Sequence, residues 1–197
     1  MISSRFSAYR YLFCRKGYGI HSPFVYDFVT NVIEEKRPYY CYERLSEKYL
    51  ALKTHNSKSL PGRKEYELLF RAANKIKPQN CLVIADDEGL SALYATAFSD
   101  SAQCVAMKRI LPHNCKNQKY DLIVCRHFTR EVVFKLMEYT KDDTLMIVSG
   151  IRNSDLERKL WHTLCAHPKV SVTIDIRNTG CIFFHPQLHR KTYKSIL

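Results

Sequence analysis

The sequence predicts an α/β sandwich, with a mainly parallel sheet, a closing C-terminal antiparallel hairpin and helices ahead of the first strand. Three observations predict it. Up to Pro78 the apolar residues recur at helical spacing. Beyond Pro78, short continuous apolar runs alternate with helical stretches, the pattern of strands buried on both faces. Asn178-Thr179-Gly180 lies between the last two runs, a tight connection that makes them pair antiparallel.

The elements follow in order. Ser22-Pro23 is a helix start, a capping hydroxyl followed by proline at the first helical position, with Val25, Phe28, Val29 and Val32 at helical spacing behind it. A second, more polar helix covers 40–54, and a loop from His55 reaches Pro61-Gly62. Residues 63–77 form a third helix, with Tyr66, Leu69, Phe70 and Ala73 on one stripe, and Pro78 ends it. Strands are then expected at 81–85, 103–107, 121–125 and 144–148. Helices over 89–98 and 130–140 lie between them. Ser154 and Glu157 form a capping box for a helix whose Leu156, Leu160 and Leu164 share a face. Strands 170–176 and 181–184 make the hairpin. The basic tail from His189 to Lys194 reads either as a frayed terminus or as a weak nucleic-acid contact.

Composition narrows the function classes. The chain has 197 residues, 46% hydrophobic and 25% charged, the balance of an ordinary globular protein. We expect an N-terminal helical segment over 1–62 and one α/β domain over 63–197. With no signal-like start and no apolar run long enough to span a bilayer, the expected location is cytoplasmic and no membrane partner is expected. Eight cysteines form no Cys-x-x-Cys pair, and Cys81, Cys104, Cys125 and Cys181 fall in strand-like runs as small core residues. The net charge of +12 favours anionic partners, small molecules or nucleic acid, without choosing among them. There is no G-x-S-x-G, no P-loop and no zinc-spaced Cys/His set, so no metal site and no catalytic residue is assigned.

The stretch Gly17-Tyr18-Gly19-Ile20-His21-Ser22-Pro23-Phe24-Val25-Tyr26-Asp27-Phe28, together with Leu68-Leu69-Phe70-Arg71 and the segment from Trp161 to Phe184, resembles bacterial class I methyltransferases of an O-methyltransferase-like, Bacteroides-type group. The resemblance implies a Rossmann-like sandwich and S-adenosylmethionine as cofactor. It also implies where that cofactor would sit: the turn after the first strand at Ala85, Asp86, Asp87 and Gly89, the end of the second strand at Met107 and Lys108, and Arg126 after the third.

At those positions the chain departs from the pattern. Val83 stands where the family has an acidic residue, and Ala85 where it has its first glycine; a Cβ there narrows the approach to the backbone. Asp86, Asp87 and Glu88 would crowd like charges together, and we read them as a solvated acidic turn or a charge effect at a helix N-terminus rather than a metal cluster. Lys108 replaces the acid that accepts from the ribose diol; a lysine cannot accept. Only twelve residues, Arg109 to Tyr120, separate two strands, too few for the family's helix and strand, so an edge strand is expected to be lost. Cys125-Arg126-His127-Phe128 and Ser149-Gly150 stand where metal-binding and catalytic carboxylates would be.

Two functions follow from these departures. One is a methyltransferase-like protein with weakened or lost cofactor binding and activity. The other is a non-catalytic module that binds an anion or nucleic acid on a basic rim of Lys108, Arg109, Arg126, His127 and Arg152. His21 is expected to serve the helix entry, and Trp161 the core.

Overall fold

The computed structural model describes residues 17–55, 60–108 and 118–197. Cys14, Cys115, Arg109 and most of the short interval after it lie outside them. Among the described residues, seven strands form one sheet in the order β2-β1-β3-β4-β6-β5-β7. They are β1 (Asn80–Ile84), β2 (Gln103–Met107), β3 (Tyr120–Cys125), β4 (Thr140–Ser149), β5 (Val172–Ile176), β6 (Thr179–Phe183) and β7 (Lys191–Lys194). β1 pairs in parallel with β2 and β3, and β3 with β4, while β6 runs antiparallel between β4 and β5. The parallel series and closing hairpin are therefore as expected, and among the described residues β2 forms the sheet edge.

Alternation along the strands loads both faces. Cys81, Val83, Leu122, Val124, Leu145 and Ile147 join one buried cluster, and Leu82, Ile84, Ile123, Cys125, Met146 and Val148 the other. The first face is covered by α1 (Pro23–Phe28), α2 (Tyr42–His55), α3 (Arg63–Ile76) and α4 (Leu90–Thr96). The second is covered by α5 (Arg130–Leu136) and α6 (Asp155–Cys165). The N-terminal helices thus share the sheet's own core: Phe28 meets Phe183 edge-on, with ring centroids 5.0 Å apart. Val25, Phe28, Val29 and Val32 are buried as their spacing predicts. The Ser22 hydroxyl accepts from the Val25 amide at the start of α1, and exposed His21 lies just outside that cap.

Three local expectations are corrected. Leu156 is 77% exposed; the buried face of α6 is built on Trp161 and Leu164 instead. The hairpin turn is Arg177-Asn178, because Ile176 pairs with Thr179 and Arg177 takes a left-handed φ of +60°. Gly180 lies within β6, where a Cβ would come within 2.4 Å of the Trp161 ring. Gly180→Val is therefore expected to cost about 1–3 kcal/mol through overpacking, measurable by urea denaturation. Finally, the tail is not frayed. β7 pairs in parallel with β5, Thr192 meets the Thr173 hydroxyl at 2.9 Å, and Tyr193 packs on the core. Its lysines line a sheet edge, where charge discourages further strand pairing.

Candidate functional site

In an open α/β sheet, ligands gather outside the carboxyl ends of the parallel strands. Here those ends are Ala85 after β1, Met107 at the end of β2 and Lys108 after it, Arg126 after β3 and Ser149 at the end of β4. Adjacent strand registers bring them side by side: Ile84 is level with both Met107 and Cys125, and Cys125 with Val148. Backbone bonds tie the ends together. The Ala85 amide donates to the Met107 carbonyl at 2.9 Å, and the Arg126 amide to the Ile84 carbonyl at 2.9 Å.

The Arg126 side chain turns inward and is only 8% exposed. Its Nε donates to the Ser91 hydroxyl at 2.7 Å and lies 3.6 Å from Asp87 Oδ2. Nη1 donates to the Ser149 hydroxyl at 3.0 Å and lies 3.7 Å from Glu65 Oε2. The guanidinium stacks over Tyr66, 4.4 Å from the ring centroid. Thr179 in β6 donates to the same Glu65 oxygen at 2.9 Å. One arginine thus gathers α3, α4, the β1–α4 turn and β4 around itself. A buried cation is tolerable only with such pairing and hydrogen bonding.

Asp87 is the anionic centre. It is 4% exposed, and its Oδ2 accepts from Tyr66 Oη at 3.1 Å, from the Ser91 amide at 3.1 Å and from the Ser91 hydroxyl. Its Oδ1 is buried and has no hydrogen-bond partner among the described residues. Burial pushes the Tyr66 phenol well above its ordinary range, and the neighbouring Asp87 adds to the rise against the opposing Arg126 charge. Tyr66 therefore stays a neutral donor. The turn reaches this geometry through two left-handed residues, Glu88 at φ +52° and Gly89 at +82°.

This corrects the solvated form of the acidic-turn expectation and agrees with its helix N-terminus form, since Asp87 accepts from the Ser91 amide in the first turn of α4. The three carboxylates do not crowd one solvated place: Asp87 faces inward, whereas Glu88 is exposed and Asp86 half-buried. The basic rim is corrected too. Arg126 is buried against carboxylates, and Arg152 is ion-paired with buried Asp175. Lys108 is exposed, His127 is half-buried, and Arg109 lies outside the described residues. Among the seven sites named from sequence, the network unites Asp87 and Arg126. Ala85 and Met107 brace it through the backbone, and Gly89 through its turn. Half-buried Asp86 and exposed Lys108 flank these residues along the chain.

Glu65, Ser91 and Ser149 were not expected as site residues, and Tyr66 was read only as core. Glu65 preceding a buried tyrosine in the first turn of α3 is the one local signal. At this rim burial pushes the Cys125 thiol up to about 12, and it donates to the His127 carbonyl.

Among solved structures, the chain is similar to an SAH-bound methyltransferase from Podospora anserina at 14% identity and a TM-score of 0.61, covering 83% of this chain and 96% of that one. The fold is that of the class I methyltransferases. An O-methyltransferase from Bacillus cereus in complex with SAH aligns over 81% of this chain and 97% of its own, at 13% identity and a TM-score of 0.56. A methyltransferase from Geobacter sulfurreducens aligns over 72% and 88%, at 14% identity and a TM-score of 0.59. No family model matches the sequence, and no curated protein does. Within this methyltransferase fold, the Arg126–Asp87–Glu65 cluster sits where the strands open.

Proposed function

We propose that this chain is a methyltransferase-like protein in which binding of S-adenosylmethionine, and with it methyl transfer, is weakened or lost. The observation that carries the reading is the Arg126 side chain, folded into the strand-end site and neutralised there by Asp87 and Glu65. The similar proteins from Podospora anserina and Bacillus cereus are crystallised with SAH, and one from Streptomyces achromogenes with SAM, so that is the ligand against which the residues are tested. They fit it poorly. The Arg126 guanidinium at the strand ends is already engaged by Ser91, Ser149, Asp87 and Glu65, so a ligand bonding any of them would have to compete with that network. The Ala85 amide is already committed to the Met107 carbonyl. At the end of β2, exposed Lys108 offers donors where a diol needs an acceptor.

Methyl transfer relies chiefly on aligning a bound cofactor with a nucleophile, so weak binding removes most of the rate. The residues present hold Arg126, Asp87 and Tyr66 in one charge-balanced cluster that supports the core of the fold. We therefore favour a non-catalytic role. A free basic rim at this end is not favoured, because Arg126 and Arg152 are both ion-paired.

A radiolabel assay tests this. Protein incubated with about 1 mM methyl-labelled S-adenosylmethionine and a panel of catechols and other hydroxyl nucleophiles is expected to show no transfer above a protein-free control. Saturable turnover on any member would overturn the reading.

A further inference from the structure

The end of the sheet opposite Arg126 carries a groove of about 460 Å³, within the size range of small-molecule sites. The start of β4 at Thr140, the α6–β5 connection and the β6–β7 connection wall it. Along β4 this lies roughly 30 Å from Ser149, at about 3.3 Å per residue. Above buried Val170 and Phe184, exposed Pro186 and half-buried Leu188 present apolar surface.

Its rim is cationic. Lys141, Lys169 and Arg190 line it against a single acid, Asp142. Asp121 engages Lys141. Lys169 and Arg190 have no carboxylate partner among the described residues. Arg190 is nonetheless fixed: Nη2 donates to the Pro168 carbonyl at 2.8 Å and Nη1 to that of Ala166 at 3.3 Å. A guanidinium already held by carbonyls keeps its full charge and loses little freedom on binding. His167 registers the same field, being held below its ordinary value by burial and by the Lys169 and Arg190 charges.

We propose that this groove binds a small amphipathic anion, an aryl or alkyl phosphate or carboxylate, with its charged group held by Lys169 and Arg190 and its apolar part on Pro186 and Leu188. The site is independent of the strand-end cluster, so failure of one reading leaves the other standing.

Amide-detected NMR titration of the full chain tests it, using phenyl phosphate, inorganic phosphate and benzyl alcohol as probes. Phenyl phosphate is expected to bind below about 1 mM and to shift the amides of Lys169, Val170, Ser171, Leu188 and Arg190. Lys169→Glu should weaken it about tenfold, whereas Lys169→Arg should retain binding. Shifts scattered over the surface, shifts centred on Ala85–Gly89 and Arg126, or no response to Lys169→Glu would overturn the proposal. Equal binding of benzyl alcohol would overturn the role of the cations, and equal binding of inorganic phosphate that of the apolar surface.

Discussion

Arg126→Met is expected to lower the unfolding free energy by about 3–5 kcal/mol, read from urea denaturation at neutral pH. Removing the guanidinium leaves Asp87 almost fully buried and strips its cationic partner, with the Glu65 carboxylate close by. It also abandons the Ser91 and Ser149 hydroxyls. The double variant Arg126→Met, Asp87→Asn should lose less than the sum of the two single variants, because the second change removes the charge that the first exposes. A single-variant loss under about 1 kcal/mol would place Arg126 in solvent, where ion pairs contribute little.

Arg71→Ala is expected to cost about 2–4 kcal/mol and to loosen the N-terminal helices first. Arg71 is 5% exposed, and its Nε donates to the Val32 carbonyl at 2.6 Å. Its other nitrogens reach the Ile33 carbonyl at 3.3 Å and Tyr42 Oη at 3.2 Å. Those carbonyls belong to the wide turn Val29–Ile33 that ends the first helical stretch, where backbone acceptors run out of helical partners. One planar guanidinium serves three acceptors at once; a lysine ammonium has no such fork, so Arg71→Lys should recover little. Hydrogen exchange at Val29–Ile33 should speed up more than at Leu122–Val124. Equal acceleration at both would mean that Arg71 serves the whole core.

Much of the fold was legible because buried parallel strands write themselves as continuous apolar runs. The run at 103–107 coincides with β2, and the run at 121–125 with β3 to within one residue. Local chemistry was legible where the partner is nearby: the Ser154 hydroxyl accepts from the Leu156 amide at the start of α6 and donates to the Glu157 carboxylate. Leu156 failed because each i+4 step drifts about 40° around a helix, so a leucine two such steps from Leu164 leaves the buried face. β7 failed because four residues flanked by charge show no apolar run, and only pairing with β5 makes them a strand.

The site was harder to read for the same reason. Sequence spacing marked Asp87 and Arg126 as strand-end residues but not as partners of each other. Glu65, Ser91 and Ser149 are ordinary polar residues along the chain, and only tertiary packing gathers them around one guanidinium. A surplus of lysine and arginine reads as free surface charge, whereas burial converts Arg126 into a paired interior cation.

The most direct test is calorimetric titration of the purified protein with S-adenosylmethionine and S-adenosylhomocysteine. A strand-end site filled by Arg126 predicts no saturable heat up to roughly millimolar ligand. Micromolar binding of either ligand would contradict it, and would mean that Arg126 yields its place to the cofactor.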